Sequence, residues 1–233
     1  MEVQIAVAKV KKYATSASGD TVEVVERPQG GVSVVLADGQ SSGRGAKWVS
    51  TFVVRRVITL LAEGVRDGAA ARAASDGLFT ERGGRVSSTL NIISIDRPTQ
   101  TMVITRNNPA PALLIEHDKI NPLNEPSKPV GLYRGTRPNI TEVSLRPGII
   151  GIAYSDGLVH AGSRQGGSMD VGDYLQGMLE NELPSSKLIA DSLLNHALTL
   201  DQNRPIDDIS IVVVQVLHHS GDDVRRMMVR LPL

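Results

Sequence analysis

The chain has 233 residues, balances 25 Lys and Arg against 25 Asp and Glu, and contains no cysteine. Zero formal net charge and an aromatic content of 3% remove the usual electrostatic and stacking grounds for a nucleic-acid or anionic-membrane partner. Disulfides, thiolate catalysis and cysteine-ligated zinc are excluded outright.

The first run, VQIAVAKV (3–10), alternates polar and apolar residues and predicts a strand rather than a secretory signal. Strands follow at 21–26 and 31–37, joined through RPQGG (27–31) as in a hairpin. The second of them delivers Asp38 at its tip and loosens into Gly39, Ser41, Ser42, Gly43 and Gly45. Residues 44–63 place Val49, Val53, Val57, Leu60 and Leu61 at helical spacing. The alanine-rich stretch 65–79 predicts a second helix, weakened by Gly68 and ending near Gly77.

Strands at 86–95, 100–106 and 112–116 come next, the first two linked by DRPTQ (96–100). The segment 117–139, with Pro122, Pro126, Pro129 and Pro138, predicts a loop. Strands at 141–145 and 149–154 lead into SDG (155–157). A second helix pair is expected at 170–181 and 185–200, with Pro184 where the last helix starts. Asp207 and Asp208 precede a strand at 209–217, and VRRMMVRL (224–231) is a candidate extra edge strand.

Hairpin-like links between consecutive strands argue for antiparallel sheets rather than parallel βαβ units. The expected fold is α+β: a four-layer αββα sandwich, two antiparallel β-sheets flanked by helix pairs, in a single domain over 1–233. No segment reaches the ~20 apolar residues needed to span a bilayer, so a soluble cytoplasmic protein is expected.

Three acidic stations stand at strand ends: Asp38 and Asp156 after apolar strands, and Asp207–Asp208 before one. A strand end holds the backbone while the side chain leaves the ladder, so several such ends bring carboxylates together at one rim. Their repulsion is costly unless cations occupy the cluster, and oxygen-only ligands favour Mg²⁺ or Mn²⁺. The competing reading is turn chemistry, since Asp-Gly also occurs at 67–68 and 76–77 inside the helical segment. Joint occurrence favours a metal site; it does not name a reaction.

GD (19–20), ADGQSSGRGAKWVS (37–50), YSDGLVHAG (154–162) and DDISIVVVQV (207–216) resemble, in order, the acidic motifs of bacterial metal-dependent serine/threonine phosphatases of the type-2C class. The likeness is to the SpoIIE-like branch, and STLNIISIDRPTQTMVITRNNPAPALLI (88–115) and PVGLYRGTRPNITEVSLRPG (129–148) extend it. The resemblance implies hydrolysis of phosphoserine or phosphothreonine on a regulatory protein of a sigma-factor or stress-signalling pathway. It implies two Mn²⁺ or Mg²⁺ ions, or three, with a metal-bound water attacking phosphorus at Asp38 and Asp156. The implied ligands are Asp20, Asp38, the Gly39 carbonyl, Asp156 and Asp207, with Asp208 ranked second as a loop support.

Departures from that pattern are Gln40 where many relatives carry histidine, PGI (147–149) for P-G-D, His160 for an acid, and RNNPAP for a small Ala-Gly pair. Arg44, Arg82 and Arg85 are candidate phosphate clamps by location only. Two other functions compete: a catalytically silent phosphoprotein-binding module of the same fold, and a two-metal small-molecule phosphoesterase or nuclease.

Overall fold

Residues Val32–Gly39 show why the chain folds in layers. Val35 and Ala37 enter one apolar cluster, whereas Val34 and Leu36 enter another. A strand whose alternate side chains are all buried must be covered on both faces.

A computed structural model describes residues 1–117, 119–180 and 183–231. Its strands are β1 (Glu2–Val10), β2 (Asp20–Glu26), β3 (Val32–Gly39), β4 (Ser88–Asp96), β5 (Thr101–Asn107), β6 (Ala112–Glu116), β7 (Lys119–Leu123), β8 (Asn139–Ser144), β9 (Ile150–Tyr154) and β10 (Ile209–Leu217). The helices are α1 (Gly43–Ala62), α2 (Asp67–Arg82), α3 (Asp156–His160), α4 (Val171–Leu179) and α5 (Ser186–Leu200). One five-stranded antiparallel sheet has the order β2-β3-β4-β5-β8, and the other β1-β10-β9-β6-β7.

Between the sheets lie Val34, Leu36, Ile93, Ile104, Leu114, Val212 and Val214. Helices α1 and α2 cover the outer face of the first sheet through Val53, Val57, Leu61, Ala70, Ala74 and Leu78. Helices α4 and α5 cover the second through Leu175, Ile189 and Leu193. The expected αββα sandwich is the fold observed. No described helix is long and apolar enough to cross a membrane.

Several boundaries differ from expectation. Helix α2 passes through Gly77 and stops only at Gly83, whose φ of 61° caps it. A Cβ at Gly77 would stand 2.8 Å from Arg56 Nε, so that glycine serves packing rather than termination. The predicted loop 117–139 contains β7, and Pro122 is tolerated because β7 is an edge strand. Pro184 precedes the Ser185 cap, and its carbonyl accepts Gln215 Nε2 at 3.1 Å. Helix α4 begins after Asp170, which accepts from Asp173 N–H; its expected end at 181 lies outside the described residues. Residues 224–231 form no strand, because Val224, Met227, Met228 and Val229 find no apolar face and stay exposed.

Candidate metal centre

The acids reach one rim from both sheets. The β2–β3 ladder places Asp20 opposite Asp38. Asp156 is the first residue of α3, directly beyond β9, and Asp207 and Asp208 lead into β10, the neighbour of β9. Asp38 feels three of them: burial first, then the charges of Asp20, Asp156 and Asp207, push its carboxyl up to about 9.

Asp20 is fully buried, and neither of its carboxylate oxygens has a hydrogen-bond partner. Burial raises its pKa; the Ser210 and Ser155 hydroxyls oppose the shift, although neither completes a bond of standard geometry. A buried carboxylate with both oxygens unpartnered is costly unless a cation or proton meets it. Asp207 is likewise raised, by burial ahead of Asp156, while Lys12 Nζ stands 4.0 Å from its Oδ1.

Asp208 behaves differently. Its Oδ1 accepts the Lys12 N–H at 2.9 Å and its Oδ2 accepts the Gly19 N–H at 2.7 Å. Both oxygens are therefore engaged by the loop that presents Asp20, and Asp208 ties that loop to the approach to β10.

The glycines of the Asp-Gly pairs have a common reason. Neither Gly39 nor Gly157 has a positive φ. A Cβ on Gly39 would lie 2.0 Å from the Ala46 carbonyl oxygen, and one on Gly157 would lie 2.1 Å from that of Asp208. They let α1 and the approach to β10 close upon the acidic loops.

These residues fit a hard divalent cation: all donors are oxygen, two are orphaned in the interior, and the cluster resists ionisation without a counter-charge. Among the described residues no three His, Asp or Glu side chains lie close enough together to hold a metal ion as they stand.

Around the rim, Gln40 is tied down, its Oε1 accepting from Ser87 N–H and Oγ. Arg82 lies 3.9 Å from the Trp48 ring centroid, and Arg85 donates to the Arg82 carbonyl. Arg44 is exposed and lines a groove of about 790 Å³ on the outer side of α1, with Lys47, Trp48 and Phe52. That groove contains none of the acids. His160 is exposed, and His196 stacks on Tyr174. The residues missed from sequence are Lys9, Lys12 and Lys47, whose ammonium groups gather here. The one signal for Lys9 is a charge placed in an otherwise apolar alternation.

The family model described as Stage II sporulation protein E (SpoIIE) matches residues 28–217. The chain belongs to the SpoIIE family. The matched region contains Asp38, Asp156, Asp207 and Asp208, and begins after Asp20.

Solved structures share the SpoIIE-family fold. The PP2C phosphatase domain of SpoIIE from Bacillus subtilis, with a fragment of its regulatory domain, superposes with a TM-score of 0.79 at 19% identity. That match covers 94% of this chain, and this chain spans 64% of that longer one. The catalytic domain of the phosphatase PstP in complex with two manganese ions gives 0.69 at 17% identity, covering 93% and 99% of the two chains. RsbX in complex with magnesium gives 0.67 at 14%, covering 91% and 94%. No curated protein sequence matches the chain.

Proposed function

We propose that this SpoIIE-family chain is a Mn²⁺- or Mg²⁺-dependent phosphatase of phosphoserine and phosphothreonine, with residues 1–233 forming one phosphatase domain. The observation that carries the reading is the Asp20 carboxylate, buried with both oxygens unpartnered and in register with Asp38. Family membership and the metal-bearing neighbours PstP and RsbX support it.

Asp20, Asp38, Asp156, Asp207 and the Gly39 carbonyl would hold the ions. Divalent cations there supply Lewis acidity toward a phosphoryl group and a water molecule. The chain's own contribution is placement. The β2–β3 ladder fixes Asp20 against Asp38, Asp208 clamps the loop ahead of Asp20, and Lys12 sets a positive charge beside Asp207. No cysteine is present to act as a nucleophile, and Gln40, whose Oε1 accepts from Ser87, is an amide with no ionisable proton to give a leaving group.

The substrate class proposed is a phosphorylated regulatory protein, which the SpoIIE neighbour, a cell fate determinant, supports. Phosphate release from a phosphoserine protein, p-nitrophenyl phosphate and nucleotides, with Mn²⁺ and with EDTA, tests the reading. Mn²⁺-dependent turnover of the phosphoprotein, lost in Asp38→Asn, is expected. Metal-independent turnover, or none with any substrate, would sink it; the latter favours a phosphoprotein-binding module.

A further inference from the structure

Two ammonium groups converge on one backbone carbonyl. Lys9 Nζ, from β1, lies 2.6 Å from the Asp20 carbonyl oxygen. Lys47 Nζ, from α1, lies 2.8 Å from the same oxygen and 2.8 Å from Thr21 Oγ1. The two lysines thus reach the start of β2 from the other sheet and from the outer helix layer.

Placing like charges on a single acceptor is unfavourable by itself. Burial lowers the pKa of both, and for Lys47 the charge of Lys9 is the next cause. The arrangement persists because Asp20 and Asp208 attract both ammonium groups. Yet neither lysine bonds to the Asp20 carboxylate, whose oxygens remain without partners. The lysines grip the residue by its main chain and leave its side chain free.

We propose that Lys9 and Lys47 are positioning residues for the metal centre, fixing the Asp20 carboxylate at the start of β2 without competing for its oxygens. The inference rests on the divalent-metal reading given above. A role as counter-charges alone has the opposite sign. Removing a cation beside a carboxylate cluster strengthens its attraction for Mn²⁺, whereas removing a support weakens metal binding. Outer-shell supports typically contribute about 10–100-fold in metal affinity.

Calorimetric titration of Mn²⁺ into the full chain separates these cases, with thermal unfolding in EDTA as the check on folding. Lys47→Met is expected to weaken Mn²⁺ binding by roughly tenfold or more, and Lys9→Met to act in the same direction. Lys47→Gln, which keeps a donor without the charge, is expected to recover most of the affinity. Met variants that bind Mn²⁺ as tightly as wild type, or tighter, would overturn the proposal, as would Lys47→Gln failing as badly as Lys47→Met. If Lys47→Met does not fold, Lys9→Met and Lys47→Gln carry the comparison. A wild-type chain that binds no Mn²⁺ would overturn the metal reading itself; wild-type binding with unaffected variants overturns only the lysine assignment.

Discussion

Asp208 Oδ2 accepts the Gly19 N–H at 2.7 Å, joining positions 189 residues apart in sequence. With the Lys12 N–H on its other oxygen, this carboxylate closes the loop before β2 onto the approach to β10. Asp207, its neighbour, carries a single backbone bond, from the Asp208 N–H.

The two adjacent acids should therefore fail in different ways. Asp208→Ala leaves two backbone donors unpaired, at about 1–3 kcal/mol each, and should lower the unfolding midpoint even in EDTA. Asp207→Ala should leave that midpoint unchanged or raise it, since burial and Asp156 oppose its charge, while Mn²⁺ affinity falls. Equal destabilisation by both would contradict the division.

Asp38 should be a stability liability without metal. Asp38→Asn keeps the shape and removes a carboxyl that must take up a proton to be buried beside three neighbouring acids. The expected result is a higher melting temperature in EDTA, at about 2–4 °C per kcal/mol for a chain of this size. Mn²⁺-dependent stabilisation and hydrolysis should both disappear. A lower midpoint in EDTA would refute the claim.

The pH dependence follows from the same carboxyl. Its folded pKa of about 9 exceeds the ordinary 3.8, so the metal-free folded state holds an extra proton between those values. The contribution is complete below pH 3.8 and is lost as pH rises toward 9. Asp20 and Asp207 are raised too and act in the same direction. Midpoints in EDTA should fall on this account as pH rises, while the increment gained with Mn²⁺ should grow because ligands must deprotonate. An increment that shrinks with rising pH would argue against carboxylate ligation.

Gly39→Ala and Gly157→Ala should each destabilise by about 1–3 kcal/mol or more, since the added methyl would stand 2.0 and 2.1 Å from backbone oxygens. Gly45→Ala, with nothing within 4 Å, is the control. Chemical denaturation reads all three. Tolerance at position 39 would mean that α1 yields at Ala46.

Most of the layer structure was legible in the sequence because both sheets are built on strands with strong apolar patterns. Strand β10 coincides with the expected 209–217, and its odd and even positions serve different clusters, Ile211 and Val213 toward α5 and Val212 and Val214 toward the other sheet. Misreadings occurred where a residue's reason lay elsewhere in the fold. Gly77 resembled a helix end but accommodates Arg56, and Pro122 resembled a loop but lies on an edge. The acidic stations were legible as a set, because strand ends are visible from periodicity. Their supports were not: Lys47 reads as one more polar position on α1 until Asp20, from a distant strand, is placed beneath it.

Strand β1 has β10 as its sheet neighbour, so the earliest strand waits for the latest. During synthesis Asp20 and Asp38 emerge well before Asp207, and Lys9 has no settled sheet until β10 inserts beside it. Nascent or truncated polypeptides lacking that last strand should therefore be inert toward metal and phosphoester alike. Assembly of the acidic rim thus waits on β10.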